Sequence, residues 1–236
     1  MKKNIRINRL SYKFFISEKT FKPTATTEFL LKDSLKIAKN KYSILDLGCG
    51  IGIIAILIAK KLKLKKTIFA SDISDEAIKI TKKNFALHKF KVDARVGSLL
   101  EPWKNEKFDL IINDVSGISA KIAEKSDWFR NVSCKTGNDG TNLTLKVLKD
   151  AKKFINDKGY LILPVISLSN TKKIFQYAKK NFKKMNVLSK NLWFLPDNIN
   201  IKKSTLEKMR KKNLIDFEFK FGKVLCYTTI ILLQKN

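Results

Sequence analysis

The sequence predicts an α/β protein: a doubly wound, mostly parallel sheet with an antiparallel hairpin at its C-terminal end. Three observations predict it. Short, nearly continuous apolar runs alternate with helix-period segments between residues 42 and 182, the pattern of strands buried on both faces by covering helices. The run at 42–47 passes through Gly48, Gly50 and Gly52 straight into the apolar stretch 53–64. Strand, glycine turn and helix in that order let backbone approach a ligand and aim helix N–H groups at it. The tail then changes period. Ile215, Phe217 and Phe219 alternate with polar residues, and Phe221-Gly222-Lys223 joins them to the apolar run 224–234, which reads as a hairpin closing the sheet edge.

The elements follow in order. Residues 13–22 read as an extended lead-in with Phe14, Phe15, Ile16 and Phe21 apolar. A helix over 24–40 is opened by Pro23, with Leu31, Leu35 and Ala38 at helical spacing and Phe29, Leu30 and Ile37 widening the face. Strand 42–47 and helix 53–64 come next. Strand 67–71 leads to helix 75–88, whose first turn carries Asp75 and Glu76. Strands 92–96 and 108–113 follow, then helix 141–155, a turn at 156–159, strand 160–166 and helix 169–182. Residues 185–194 read as a strand, and 198–213 as a lysine-rich stretch with a short helix from Ser204. No repeat or low-complexity linker interrupts the chain. The expected organisation is a lead-in at 1–40 packed on a catalytic core at 41–236, one domain overall.

Bulk properties narrow the classes. The 236 residues carry 49 Lys and Arg against 21 Asp and Glu, a formal net charge of +28. Only Arg6, Arg9, Arg95, Arg130 and Arg210 are arginine, so the excess is lysine. It reads either as a solvated coat or as an electrostatic footprint for RNA or a ribonucleoprotein. The longest apolar runs, near 53–59 and 230–233, are too short to span a bilayer, and the basic N-terminus lacks a signal-peptide core. Cys49, Cys134 and Cys226 are widely spaced, which fits a reducing cytoplasm and no metal site.

The chemistry concentrates at three strand ends. Asp46 closes the first strand ahead of the glycines. Asp72 closes the next, where a carboxylate can accept hydrogen bonds from ribose hydroxyls. Gly97-Ser98-Leu99 follows the third. Carboxyl ends of adjacent strands are where open α/β sheets bind ligands. The glycine spacing is G-x-G-x-G, whereas a dinucleotide fold shows G-x-G-x-x-G.

With these residues the chain resembles the class I S-adenosylmethionine-dependent methyltransferases, whose first motif is matched by Asp46-Leu-Gly-Cys-Gly-Ile-Gly52. The resemblance implies a Rossmann-like, seven-stranded sheet and S-adenosylmethionine as cofactor. It implies that Gly48 and Gly50, with Cys49 and Gly52 in the same turn, meet the methionine part of the cofactor, while Asp46 orients its amino group. Asp72 would bind the ribose, Ile73 would pack on the adenine, and Ser98 with Leu99 would flank the adenine edge. Family members often carry Asp at the Ser98 position.

A closer likeness is to the group of release-factor glutamine methyltransferases and small ribosomal methyltransferases. Pro23-Thr-Ala-Thr-Thr27 resembles their cofactor-covering segment, which adds Thr27 to the cofactor set. Gly137-Asn-Asp139-Gly140 resembles their G-x-D-G element. Asn113 ends the strand before their N-P-P-Y tetrad and joins the cofactor set. Asp114-Val115-Ser116-Gly117 stands in place of that tetrad. The prolines and the stacking aromatic are gone, while Asp114 keeps a hydrogen-bonding head that can also accept a proton. Asp114 and Ser116 are therefore the candidate catalytic pair. Nothing ahead of Pro23 reads as the long helical region with which release-factor enzymes hold their substrate.

The expected activity is methyl transfer to a nucleophile, nitrogen first, on a ribosomal protein or RNA. A non-catalytic RNA-binding module on the same scaffold and a small-molecule methyltransferase are the alternatives. Blander roles stand beside the sharp ones. Cys49 reads as a small turn residue, Asp139 as a helix starter, and His88 as a helix C-terminal contact. Asp46, Asp72 and Asp114 also suit turns and caps. Trp128-Phe129 reads as substrate stacking or lid packing, and Trp193-Phe194-Leu195-Pro196 as the same rim or as core.

Overall fold

The structure, a computed structural model, describes residues 1–7, 9–129, 132 and 134–235; Arg130 lies outside them. A hairpin of β1 (Lys2–Ile7) and β2 (Leu10–Phe15) precedes α1 (Ala25–Ala38). The alternation then runs β3 (Ile44–Leu47), α2 (Ile53–Lys61), β4 (Ile68–Asp72), α3 (Asp75–Leu87), β5 (Val92–Val96), β6 (Phe108–Asn113), the single-turn α4 (Ala120–Ala123), α5 (Asn142–Asp150), β7 (Ile155–Ile166) and α6 (Thr171–Asn181). The tail adds β8 (Lys184–Phe194), α7 (Lys203–Lys211), β9 (Glu218–Lys220) and β10 (Lys223–Gln234).

Seven strands run in the order β5-β4-β3-β6-β7-β10-β8, with β9 paired beside β10. Strands β5 to β7 pair in parallel, and β10 is antiparallel to β7, β8 and β9. The chain winds outward from β3 through β4 to β5, then returns to the other side of β3 as β6. That reversal opens a crevice at the carboxyl ends of β3 and β6. All four residues of β3 are buried, as are Ile53 to Ala59 of α2. A helix apolar on every side needs cover all round. It finds it between the sheet and Leu30, Leu31 and Ala38 of α1, in one core cluster with Ile7 and Phe14 of the hairpin.

Three expectations change. The C-terminal hairpin does not close the edge: β10 lies between β7 and β8, and β8 is the edge. Its apolar residues 225–233 are mostly buried because strands flank it on both sides. The turn at 156–159 is a bulge within β7, where Phe108 pairs with Ile155 and Leu110 already pairs with Tyr160. The Asn156 amide fills the gap by donating to Asp109 Oδ1 at 2.7 Å. Helix 141–155 ends early as α5 and a 3-10 turn at Ala151–Lys153.

The β1–β2 hairpin is not foreshadowed by the lead-in reading. Asn84 of α3, fully buried, pins it. Its Oδ1 accepts from the Phe15 N–H at 2.6 Å, and its Nδ2 donates to the carbonyls of Phe15 (3.0 Å) and Ile51 (2.9 Å). Asn84→Ala strands three backbone groups at once, and we expect a loss of about 2–4 kcal/mol in urea unfolding with faster amide exchange at Phe15. A wild-type midpoint would mean that apolar contacts alone hold the hairpin.

Candidate active site at the carboxyl ends of β3, β4 and β6

The turn after β3 places three glycines at positive φ: Gly48 at 77°, Gly50 at 54° and Gly52 at 78°. They serve different ends. A Cβ on Gly48 would sit 3.0 Å from Val115 Cγ1 and 3.1 Å from the Val115 nitrogen, so its bareness lets the turn close on the segment after β6. A Cβ on Gly52 would sit 3.0 Å from Thr81 Cγ2 and 3.3 Å from Phe85 Cε2, so this glycine seats α2 on α3. A Cβ on Gly50 would meet only the Phe21 carbonyl, at 3.9 Å. Gly50 thus faces open space on the cavity side.

Carboxylates gather around this turn. Asp72 Oδ2 accepts from the Gly50 N–H and Oδ1 from the Ser74 N–H, both at 2.9 Å, while burial raises its pKa. Asp46 is 1% exposed. Its Oδ2 accepts from the Ala55 N–H at 3.2 Å, and its Oδ1 has no hydrogen-bond partner among the described residues. Burial, with the Asp114 charge adding to it, pushes Asp46 up to about 8. Asp114 accepts a hydrogen bond from Thr27 Oγ1 at 3.2 Å, and burial nonetheless raises it to about 7. Asn113 Oδ1 is also buried without a partner.

These residues border a cavity of about 560 Å³, within the range of roughly 300–1,000 Å³ typical of small-molecule sites. Gly48, Gly50, Asp72, Ile73, Ser98 and Leu99 line one part of it, and Thr27, Asp114 and Ser116 another. Ile73 is 66% exposed there, a large apolar side chain left without a protein neighbour to cover it. Residues 21–27, Trp128-Phe129 and Trp193-Phe194 complete the walls. Phe21 and Phe129 meet with ring centroids 5.1 Å apart, and Trp128 meets Trp193 edge-on at 6.1 Å. The Trp193 indole N–H is anchored on Thr228 Oγ1 at 3.0 Å. Both aromatic pairs therefore form the rim.

Three expected contacts lie off the cavity. Asp46 and Asn113 each precede a lining residue, Leu47 and Asp114, and are themselves buried at the strand ends rather than on the cavity wall. Gly52 is spent on packing. Cys49 lines the cavity, but its thiol turns away to Thr81 Oγ1 at 3.6 Å, and burial raises its pKa well above the usual thiol value. Asp139 acts at the start of α5, accepting from the Thr141 N–H and hydroxyl and from Lys173. His88 contacts the Lys13 carbonyl at 2.9 Å at the end of α3. The sequence reading missed the link from Thr27 to Asp114, which joins residues 87 apart in the chain.

The strand order and the helices on both faces are those of class I methyltransferases. Residues 21–114 match the family model described as the methyltransferase small domain. The chain is 26% identical to a release factor glutamine methyltransferase of Geobacter sulfurreducens over 155 residues, which is 64% of this chain. It spans 54% of that relative's length. Among solved structures, a ribosomal protein L11 methylase from Lactobacillus delbrueckii subsp. bulgaricus superposes with a TM-score of 0.56 at 21% identity, over 92% of this chain and 82% of that one. The T. thermophilus 16S rRNA N2 G1207 methyltransferase, in complex with AdoMet and guanosine, gives 0.60 at 11% identity, over 100% of this chain and 50% of that one.

The raised carboxyls have a pH consequence. Between the unfolded value of 3.8 and folded values of about 7 and 8, the folded chain binds more protons than the unfolded one. Their contribution to stability is therefore present at low pH and lost as pH rises through that window. We expect Asp46→Asn, which keeps an acceptor for the Ala55 N–H, to stabilise the ligand-free protein at pH 8 by on the order of a few kcal/mol and to do little at pH 4. Denaturant titrations at both pH values check this; equal effects would refute it.

Proposed function

We propose that this chain is an S-adenosylmethionine-dependent methyltransferase that acts in the cytoplasm on a nitrogen nucleophile of a translation-related protein or RNA. One observation carries the reading. In a chain of net charge +28, the described residues of the cavity wall include the carboxylates Asp72 and Asp114 and, as basic residue among them, Lys22. Behind it stand the unpartnered acceptors of Asp46 and Asn113. A ligand bearing a sulfonium and an ammonium supplies the positive charge that this group lacks, so the residues fit the cofactor. The small-domain match and the resemblance to release factor and ribosomal methyltransferases support the same choice.

Asp72 and Gly50 would hold the ribose, with Ile73, Ser98 and Leu99 around the adenine. Thr27, Gly48 and Cys49 would border the methionine part, and Asp46 and Asn113 would favour its ammonium from behind. When bound, S-adenosylmethionine supplies a methyl group already activated on sulfur. The protein's task is then to align the nucleophile and exclude water. The aromatic rim closes the cavity, and Trp128 and Trp193 offer flat walls where the tetrad has lost its aromatic. Asp114, poised at about 7, can accept a proton from an attacking N–H. Ser116 lies beside it on the cavity wall as a hydrogen-bonding group for the acceptor.

Calorimetry with S-adenosylmethionine tests the cofactor half: wild type should bind, and Asp72→Ala should weaken binding about tenfold or more. No heat with wild type would sink the reading. For the base, kcat/KM for the cofactor should rise through about pH 7 and level off above it, and Asp114→Asn should abolish that limb while binding cofactor within a few-fold of wild type. Labelled methyl recovered from an extract, then treated with nuclease or protease, identifies the acceptor.

A further inference from the structure

The segment between β8 and β10 touches the cavity through Pro196 and is otherwise built onto its rim. Leu195 hydrogen-bonds through its N–H to the Val224 carbonyl at 2.8 Å, and Asn198 Nδ2 donates to Asp127 Oδ2 at 3.3 Å. Leu206 and Met209 of α7 and Phe217 before β9 pack in one cluster with Ile118 and Ile122, which follow Asp114 in the chain. The apolar face of α7 is thus spoken for, and its other face is not. Residues 196–224 carry eight lysines and arginines against four carboxylates.

Among these cations stand aromatics that the core does not use. Phe219 is exposed, with Lys203 Nζ 4.1 Å from its ring centroid. Phe221 is 84% exposed, with Lys220 Nζ at 5.4 Å. The tip is energetically unfavourable on its own terms. Phe221 (φ 52°) and Gly222 (φ 71°) form a two-residue hairpin turn in the left-handed region, where Asn or Gly belongs and a bulky residue is strained. Lys220 and Lys223 pair across the turn, with Lys223 Nζ held by Asp197 Oδ2 at 3.0 Å and Lys220 Nζ lying over the Phe221 ring. Neither stability nor solubility accounts for a strained, exposed phenyl ring between two lysines.

We propose that α7 and the β9–β10 tip form a docking surface for single-stranded RNA that leads substrate to the cavity mouth. A single strand alternates flat bases with phosphates, which matches exposed rings alternating with ammonium groups. A duplex hides its bases, and an acidic peptide has no use for the rings. Calling the RNA a substrate rests on the methyltransferase reading; its binding does not, and is measured without cofactor.

The probe is a fluorescein-labelled 15-mer of uridine, followed by anisotropy on the full chain across a salt series. Wild type should bind with affinity that falls linearly with salt on logarithmic axes. Phe221→Asn should weaken binding about tenfold, the loss of one stacked base, while its melting temperature rises because the turn is relieved. Opposite signs in the two measurements separate a binding role from a structural one. Lys203→Gln should weaken binding and flatten the salt dependence. Lys63→Gln with Lys89→Gln should stay within twofold of wild type, since these line a separate lysine groove at the C-terminal ends of α2 and α3. The proposal is overturned by Phe221→Asn binding as wild type, by an equal loss from the Lys63 and Lys89 pair, or by polyglutamate displacing the RNA. Calorimetry of Phe221→Asn with S-adenosylmethionine keeps the two readings apart: intact cofactor binding with lost RNA binding touches only this surface, and lost cofactor binding in wild type only the activity.

Discussion

Everything at the site depends on how closely the turn after β3 approaches the segment after β6. Gly48 is the contact point, with room for a hydrogen where any Cβ would lie 3.0 Å from Val115. Both Asp46 and Asp114 are buried beside that approach; burial raises both carboxyls, and the Asp114 charge raises Asp46 further. A buried pair of carboxyls with an orphan acceptor is a poor arrangement for an empty protein. It is a good one for a protein that spends its working life around a cation. The fold bears that cost because α2, seated through Gly52 on Thr81 and Phe85, is buried throughout and holds the turn rigidly.

How much of this the sequence disclosed follows from the range of the interactions. The alternation of β3 to α6, the glycine turn and the acidic strand ends are local patterns, written in windows of ten to twenty residues. Gly48, Gly50, Asp72, Ile73, Ser98 and Asp114, all at or just past those strand ends, line one cavity. What stayed hidden was non-local. Strand pairing of β10 between β7 and β8 depends on contacts across dozens of residues, so a strand alternating in period at its start was read as an edge. The β1–β2 hairpin lacks a strong apolar alternation of its own and is held from outside by Asn84. Asp46 and Asn113 lie buried at the strand ends with an unpartnered oxygen each among the described residues, a depth that no local pattern discloses.

Charge is divided in the same non-local way. Lysines spread almost evenly along the sequence, so composition alone cannot tell a solvated coat from a working surface. Folding sorts them. The cavity keeps carboxylates, the C-terminal ends of α2 and α3 collect lysines that suit helix dipoles, and the arm between β8 and β10 sets lysines against exposed rings. Of these groupings only the last sets exposed aromatic rings among its lysines. That asymmetry gives the lysine excess a site-specific meaning, and it emerges only once Lys203 and Phe219, sixteen positions apart, share one face.

Thr27 ties the covering segment to the chemistry. Its hydroxyl accepts from the Thr24 N–H at 3.3 Å at the start of α1 and donates to Asp114 Oδ2 at 3.2 Å. A hydroxyl has one proton and two lone pairs; one lone pair accepts from the helix terminus, and the proton is the one that reaches Asp114. The bond favours the ionised carboxylate, the form able to accept a proton, and partly offsets the desolvation that raises it. The same bond fixes residues 21–27 over the cavity, where Phe21 closes on Phe129. Closure of the rim and readiness of the base are thereby linked through one side chain: a segment that swung away would take Thr27 with it and leave Asp114 more inclined to hold its proton. The chain's departure from the N-P-P-Y pattern fits this logic. An Asn in that place is neutral at every pH and needs no such partner, whereas an Asp buried this deeply needs a donor that arrives with the cover.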